Sequence, residues 1–101
     1  MGFDVVLYNR DGRKLNFFEI TENLHNEIFN SKLMWRSYLE LRKLSDYYLT
    51  DETFSGESLT NLISDLNNYK SFISVHKLNE YEELIKQISS SDISEVHMAG
   101  D

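Results

Sequence analysis

Residues 51 to 62, DETFSGESLTNL, place oxygen-bearing side chains and a glycine near the spacing of a calcium loop. Such a loop needs oxygen ligands at positions 1, 3 and 5, glycine at 6 and a bidentate glutamate at 12. Counted from Asp51, those positions hold Asp51, Thr53, Ser55, Gly56 and Leu62. The glycine fits, but two ligands are neutral hydroxyls and the last is an alkyl side chain. Too little anionic charge is present to replace the hydration shell of the ion, and the stretch reads as a surface offered to a protein.

Other reactive types are scattered. His25, His76 and His97 lie far apart, and none stands in a metal-binding HExxH pattern. The chain has no cysteine, which removes disulfides, thiolate zinc sites and cysteine nucleophiles and fits a reducing compartment. Gly2, Gly12, Gly56 and Gly100 never cluster into a phosphate-cradling turn, and no GxSxG nucleophile elbow occurs. The sequence therefore predicts a binding protein rather than an enzyme, with no catalytic, cofactor-binding or metal-ligating residue.

Charge indicates the partner. Seventeen acids face ten bases, a net charge of −7, and from Leu44 to Tyr69 no Lys or Arg interrupts Asp46, Asp51, Glu52, Glu57 and Asp65. That segment repels phosphate backbones and attracts basic surfaces. The basic residues Arg36, Arg42 and Lys43 near Trp35 are too few for a nucleic-acid site, and they are expected to pair with Glu40 and Asp46 or to lay their stems on the aromatics. Tyr47, off the apolar face of its segment, and Phe54 have the make-up of interface anchors within an acidic rim. The residues expected to bind that basic partner are Tyr47, Asp51, Glu52, Phe54 and Glu57.

Elements must hold these residues in place. Phe3 to Tyr8 and Leu15 to Ile20 are apolar, β-prone runs joined across Asp11-Gly12, a hairpin signal. Thr21 is a helix cap ahead of Leu24 and Ile28. After Asn30-Ser31, read as a stop and a new cap, Met34, Tyr38, Leu41, Leu44 and Tyr48 share a helical spacing, which predicts a central helix over 32–49 with Trp35 and Tyr38 in the core. Leu59, Leu62, Ile63 and Leu66 predict another helix. Asn79 with Glu82 forms a capping-box pattern ahead of Tyr81, Leu84, Ile85 and Ile88. Residues 70–77, with Phe72 assigned to the core, and residues 93–98 stay open between helix and strand. The expected fold is mainly α (α+β): one domain over 1–101, with a β-hairpin at 3–20, a helical body of four to five helices over 21–98 and a frayed tail at 99–101. No run reaches the length of a membrane span, and the N-terminus shows no basic region followed by an apolar run, so a cytoplasmic chain is expected.

A small, acidic, cysteine-free chain that begins MGFDVVLYNRDGRKLNFFEI and carries YYLTDETFSGESL resembles the immunity proteins of bacterial contact-dependent growth inhibition and related polymorphic toxin systems. The resemblance implies an inhibitor of one cognate toxin domain, in this class often a nuclease and particularly a ribonuclease, whose basic active site it covers. No family residue transfers by position; the residues themselves predict no cofactor and no direct contact with nucleic acid or membrane. The alternative is a nucleic-acid-mimicking or regulatory protein-binding module, such as a phage-type inhibitor.

Overall fold

The computed structural model describes residues 3–30 and 33–100. Strands β1 (Phe3–Tyr8) and β2 (Lys14–Ile20) form the hairpin that the sequence predicts. Its connection closes through the Gly12 N–H, which donates to the Asn9 carbonyl at 3.0 Å, while the Asn9 side chain accepts from the N–H groups of Asp11 and Arg13. Gly12 stands at φ +80°, a conformation that costs a side-chain-bearing residue more than glycine.

Two more strands complete an antiparallel sheet. β3 (Asp51–Ser55) and β4 (Glu95–Ala99) give the order β2-β1-β4-β3, with β2 and β3 at the edges. Helices α1 (Glu22–Ile28), α2 (Gly56–Tyr69) and α3 (Leu78–Ile88) pack against one face. Phe3, Val5, Leu7, Phe54, Val96 and Met98 point into that layer and meet Leu24, Ile28, Leu62, Leu66, Tyr81 and Ile88 in one core. The alternate residues face the other side, as period-two alternation dictates; Asp4, Asp51 and Thr53 are exposed there and Val6 and His97 half-buried.

The expected four to five helices are overturned: the described residues form three α-helices and a four-stranded sheet, an α+β fold, and the supposed helical body contains two strands. The predicted central helix is absent between 33 and 49. Two short 3-10 turns, Met34–Ser37 and Leu41–Leu44, stand there, separated by residues 38–40, of which Tyr38 is extended. Leu33 adopts φ +59°, which no α-helix accommodates. Tertiary partners replace the helical bonds: the Asp65 carboxylate accepts from the backbone N–H groups of Glu40 and Leu41 at 2.9 and 3.2 Å, and the buried His25 ring reaches the Leu44 carbonyl at 2.8 Å. The spacing nonetheless put Leu41 and Leu44 inside correctly, while Met34 and Tyr48 are exposed.

Smaller differences have local causes. Thr21 caps α1 by accepting from the Leu24 N–H, as expected. α3 starts earlier than Asn79 predicts, with Lys77 as its flanking residue and no side-chain cap. Residues 70–72 make a 3-10 turn, with Phe72 40% exposed rather than core. The open reading of 93–98 resolves to a strand beside the hairpin. Ala99 pairs with both Asp4 and Asp51, and the Gly100 N–H donates to the Thr50 carbonyl, so these two positions of the supposed tail are held. Ser31, Lys32 and Asp101 lie outside the described residues.

Candidate functional site

The segment expected to connect helices as a contact loop is itself the edge strand β3. Alternation along a strand sends neighbouring side chains to opposite faces, so the five predicted residues do not form one patch. Asp51 stands on the open face, 78% exposed, where its Oδ1 lies 2.6 Å from Nε2 of His97 on β4. Glu52 turns to the helix-side rim and is half-buried. Its charge acts on Lys43, whose ammonium is held above the ordinary lysine range first by its hydrogen bond to Glu40 and then by the negative charge of Glu40 and Glu52. Phe54 is 1% exposed and belongs to the core, opposite Val96, so it is no surface anchor. Glu57 is exposed in the first turn of α2, past the far end of β3.

The aromatic pair is inverted relative to the sequence reading. Tyr47 is half-buried, its ring 5.0 Å from that of His25 and 6.1 Å from that of Phe3. Tyr48 and Leu49 instead face outward, 62% and 80% exposed. Asp46 determines this: its Oδ1 accepts from the N–H groups of both Tyr48 and Leu49, at 3.0 and 2.9 Å, a side-chain-closed turn that pushes both residues out. Thr50 locks the turn from the other side, its hydroxyl donating to the Asp46 carbonyl at 2.6 Å. Gly100 lies flat against the backbone of Tyr47 and Tyr48, where a Cβ would collide with main-chain atoms. Asp46 placed ahead of two bulky residues was a readable turn signal. The contact with Gly100 had none.

The acids of the base-free run therefore divide by task. Asp46 and Asp65 satisfy backbone N–H groups, whereas Asp51, Glu52 and Glu57 spread negative charge along the β3 edge beside the exposed Tyr48-Leu49 pair. Two of the three neighbouring bases behave as expected: Lys43 pairs with Glu40 at 2.9 Å, and the Arg36 guanidinium lies over the Trp35 ring at 5.7 Å, while Asp46 serves backbone N–H groups. Of the histidines, His25 is buried, His97 is half-buried and His76 is exposed. Among the described residues no group of three or more His, Asp or Glu side chains converges as a metal-binding cluster. No helix there is long and apolar enough to cross a membrane.

The arrangement offers an apolar anchor in the turn before β3 beside a negative rim, a combination suited to binding a basic surface. No protein family, no curated protein and no solved structure matches the chain.

Proposed function

We propose that the protein is an immunity-type inhibitor that binds a cognate basic toxin domain, a nuclease of the ribonuclease kind, in the cytoplasm and neutralises it by covering its active site. One observation carries this reading: Tyr48 and Leu49, held outward by Asp46, sit beside Asp51 and Glu52 in a segment with no Lys or Arg from 44 to 69. A nuclease cleft has to attract phosphate, so carboxylates in the place of phosphates steer the encounter, and a desolvated aromatic-aliphatic pair slows departure. The resemblance to immunity proteins in the opening and YYLTDETFSGESL stretches supports the same reading.

The test is capture and inhibition. The product of the gene immediately upstream, purified as its C-terminal domain, is expected to bind this protein at 1:1 stoichiometry. Its RNA cleavage should fall in proportion to the inhibitor added. A complex that leaves cleavage intact would remove occlusion from the proposal, and cleavage that never responds would remove the toxin.

A further inference from the structure

The opposite edge of the sheet is built differently. β3 is a short edge that begins with two acids, features that discourage pairing with another chain. β2 is longer, pairs among the described residues with β1 alone and exposes Leu15 and Phe17 at 48% and 63%; it too begins with a charged residue, Lys14, whose ammonium lies 5.0 Å from the Phe17 ring centre. The Phe17 N–H donates to the Asn16 side chain at 2.9 Å. That donor is occupied by a local side chain, which an incoming carbonyl could replace.

A groove of about 260 Å³ runs beneath this edge, between β2, α1 and α3. Phe18, Ile20, Leu24 and Leu84 form its floor, and Glu19, Glu80 and Glu83 stand at its margin. A cavity of about 150 Å³ accepts a benzene ring, so this groove has room for a large side chain from a neighbouring strand. Glu80 lies 3.4 Å from Lys77, and Glu83 is exposed in the same helix.

We infer that β2 and this groove receive an extended, basic segment of a partner protein as a fifth strand. This surface is separate from the β3 rim and does not depend on the toxin reading. Main-chain hydrogen bonds to β2 would supply affinity independent of sequence, and alternate side chains would fall on the groove. The acidic margin selects the occupant: a Lys or Arg pointing inward lays its alkyl stem on Phe18, Ile20 and Leu84 and brings its charge to Glu80 and Glu83. An acidic strand meets carboxylates there and is rejected, and a second copy of this chain, at net charge −7, is disfavoured for the same reason.

The probes are two short capped peptides, one of alternating lysine and valine and one of alternating glutamate and valine, added to the intact protein and followed by amide chemical shifts. The lysine peptide is expected to shift the β2 amides and those around Glu80 and Glu83, while the glutamate peptide leaves them unmoved. E80K/E83K should weaken the lysine peptide by at least about tenfold and admit the glutamate peptide. Phe17→Pro, placed on an edge strand where proline is tolerated, should abolish binding with the β4 and β3 amides unchanged. Equal binding of both peptides, shifts confined to the β3 edge, no binding at millimolar peptide, or a dimer in sedimentation that pairs β2 with β2 would each overturn the proposal.

Discussion

Aromatic residues with one polar atom close the polar accounts of this core. The last carbonyls of a helix have no partner within it. Tyr69, at the end of α2, donates its hydroxyl to the Ile28 carbonyl at the end of α1, and Tyr81 of α3 donates to the Leu66 carbonyl in the last turn of α2. The Trp35 indole N–H likewise donates to the Asn30 carbonyl. Burial raises the phenol pKa of both tyrosines, so each keeps its proton and remains a donor. Tyr81→Phe leaves the ring in place but orphans the Leu66 carbonyl; a loss of about 1 to 3 kcal/mol in urea unfolding is expected, against nearly none for the exposed Tyr48→Phe. His25 is the buried titratable counterpart. Its ring is packed among Phe3, Phe29 and Tyr47, and burial lowers its pKa, outweighing the Leu44 carbonyl and the Asp46 charge, which raise it. The unfolded chain takes up a proton near pH 6.5 and the folded one only at lower pH. The contribution of His25 is therefore complete above about 6.5 and is lost as pH falls from there through the lowered folded value. Melting temperature should decline from pH 7 to pH 5.5, and His25→Asn, whatever its own cost, should flatten that decline. An unchanged slope would assign the pH dependence to groups other than His25.

At the scale of elements, the hairpin and α1 were legible because their periodicity coincides with a turn and a cap, Asp11-Gly12 and Thr21, whereas α2 and α3 were legible from their apolar stripes alone, ending in Leu66 and Ile88. Leu62, the centre of one stripe, is 0% exposed, and Leu62→Ala is expected to cost about 2 to 5 kcal/mol. The segment from 33 to 50 was misread because its spacing fits a helix while several of its backbone partners come from elsewhere, namely Asp65 and His25. Those bonds span up to 25 residues, and no local pattern announces them. DETFS was misread for a related reason: Phe54 is the sole buried residue of β3, too little apolar signal for a strand whose pairing with β4 depends on the far end of the chain. Gly56 then turns the strand into α2 at φ +53°, and the Ser58 hydroxyl accepts from the Ser55 N–H across the junction. Gly56→Ala meets no steric obstacle yet forces an L-residue into the left-handed region; a loss of about 1 to 2 kcal/mol is expected. Gly100→Ala has the opposite cause, a Cβ driven into the Tyr47-Tyr48 backbone, and should both destabilise the fold and displace the amides of Tyr48 and Leu49.

For the whole molecule, the question is whether net charge or its placement governs recognition. A chain at −7 attracts any basic protein from a distance, but that attraction is screened over about 8 Å at physiological ionic strength. The two edges of the sheet are three strand spacings apart, about 14 Å, so they act as separate electrostatic surfaces during docking. If the β3 rim guides a basic toxin, Asp51→Lys with Glu52→Gln and Glu57→Lys should lower the association rate at least about tenfold and weaken its salt dependence. Charge reversal of Glu80 and Glu83 on the far edge should change the rate by less than about threefold, because steering of this encounter falls off with screening. Tyr48→Ala and Leu49→Ala act after the encounter: their dissociation rates should rise, with a cost of about 2 kcal/mol or more for a buried anchor, and their association rates should hold. Tyr47→Ala and Phe54→Ala serve as the contrast, since both side chains pack with the core and their loss should appear first in the melting temperature. Stopped-flow association at several salt concentrations, on variants shown to melt like the parent, separates these outcomes. Equal slowing by both sets of reversals would make net charge the determinant, and normal kinetics in the β3 and Tyr48 variants would move the toxin-binding face away from this edge.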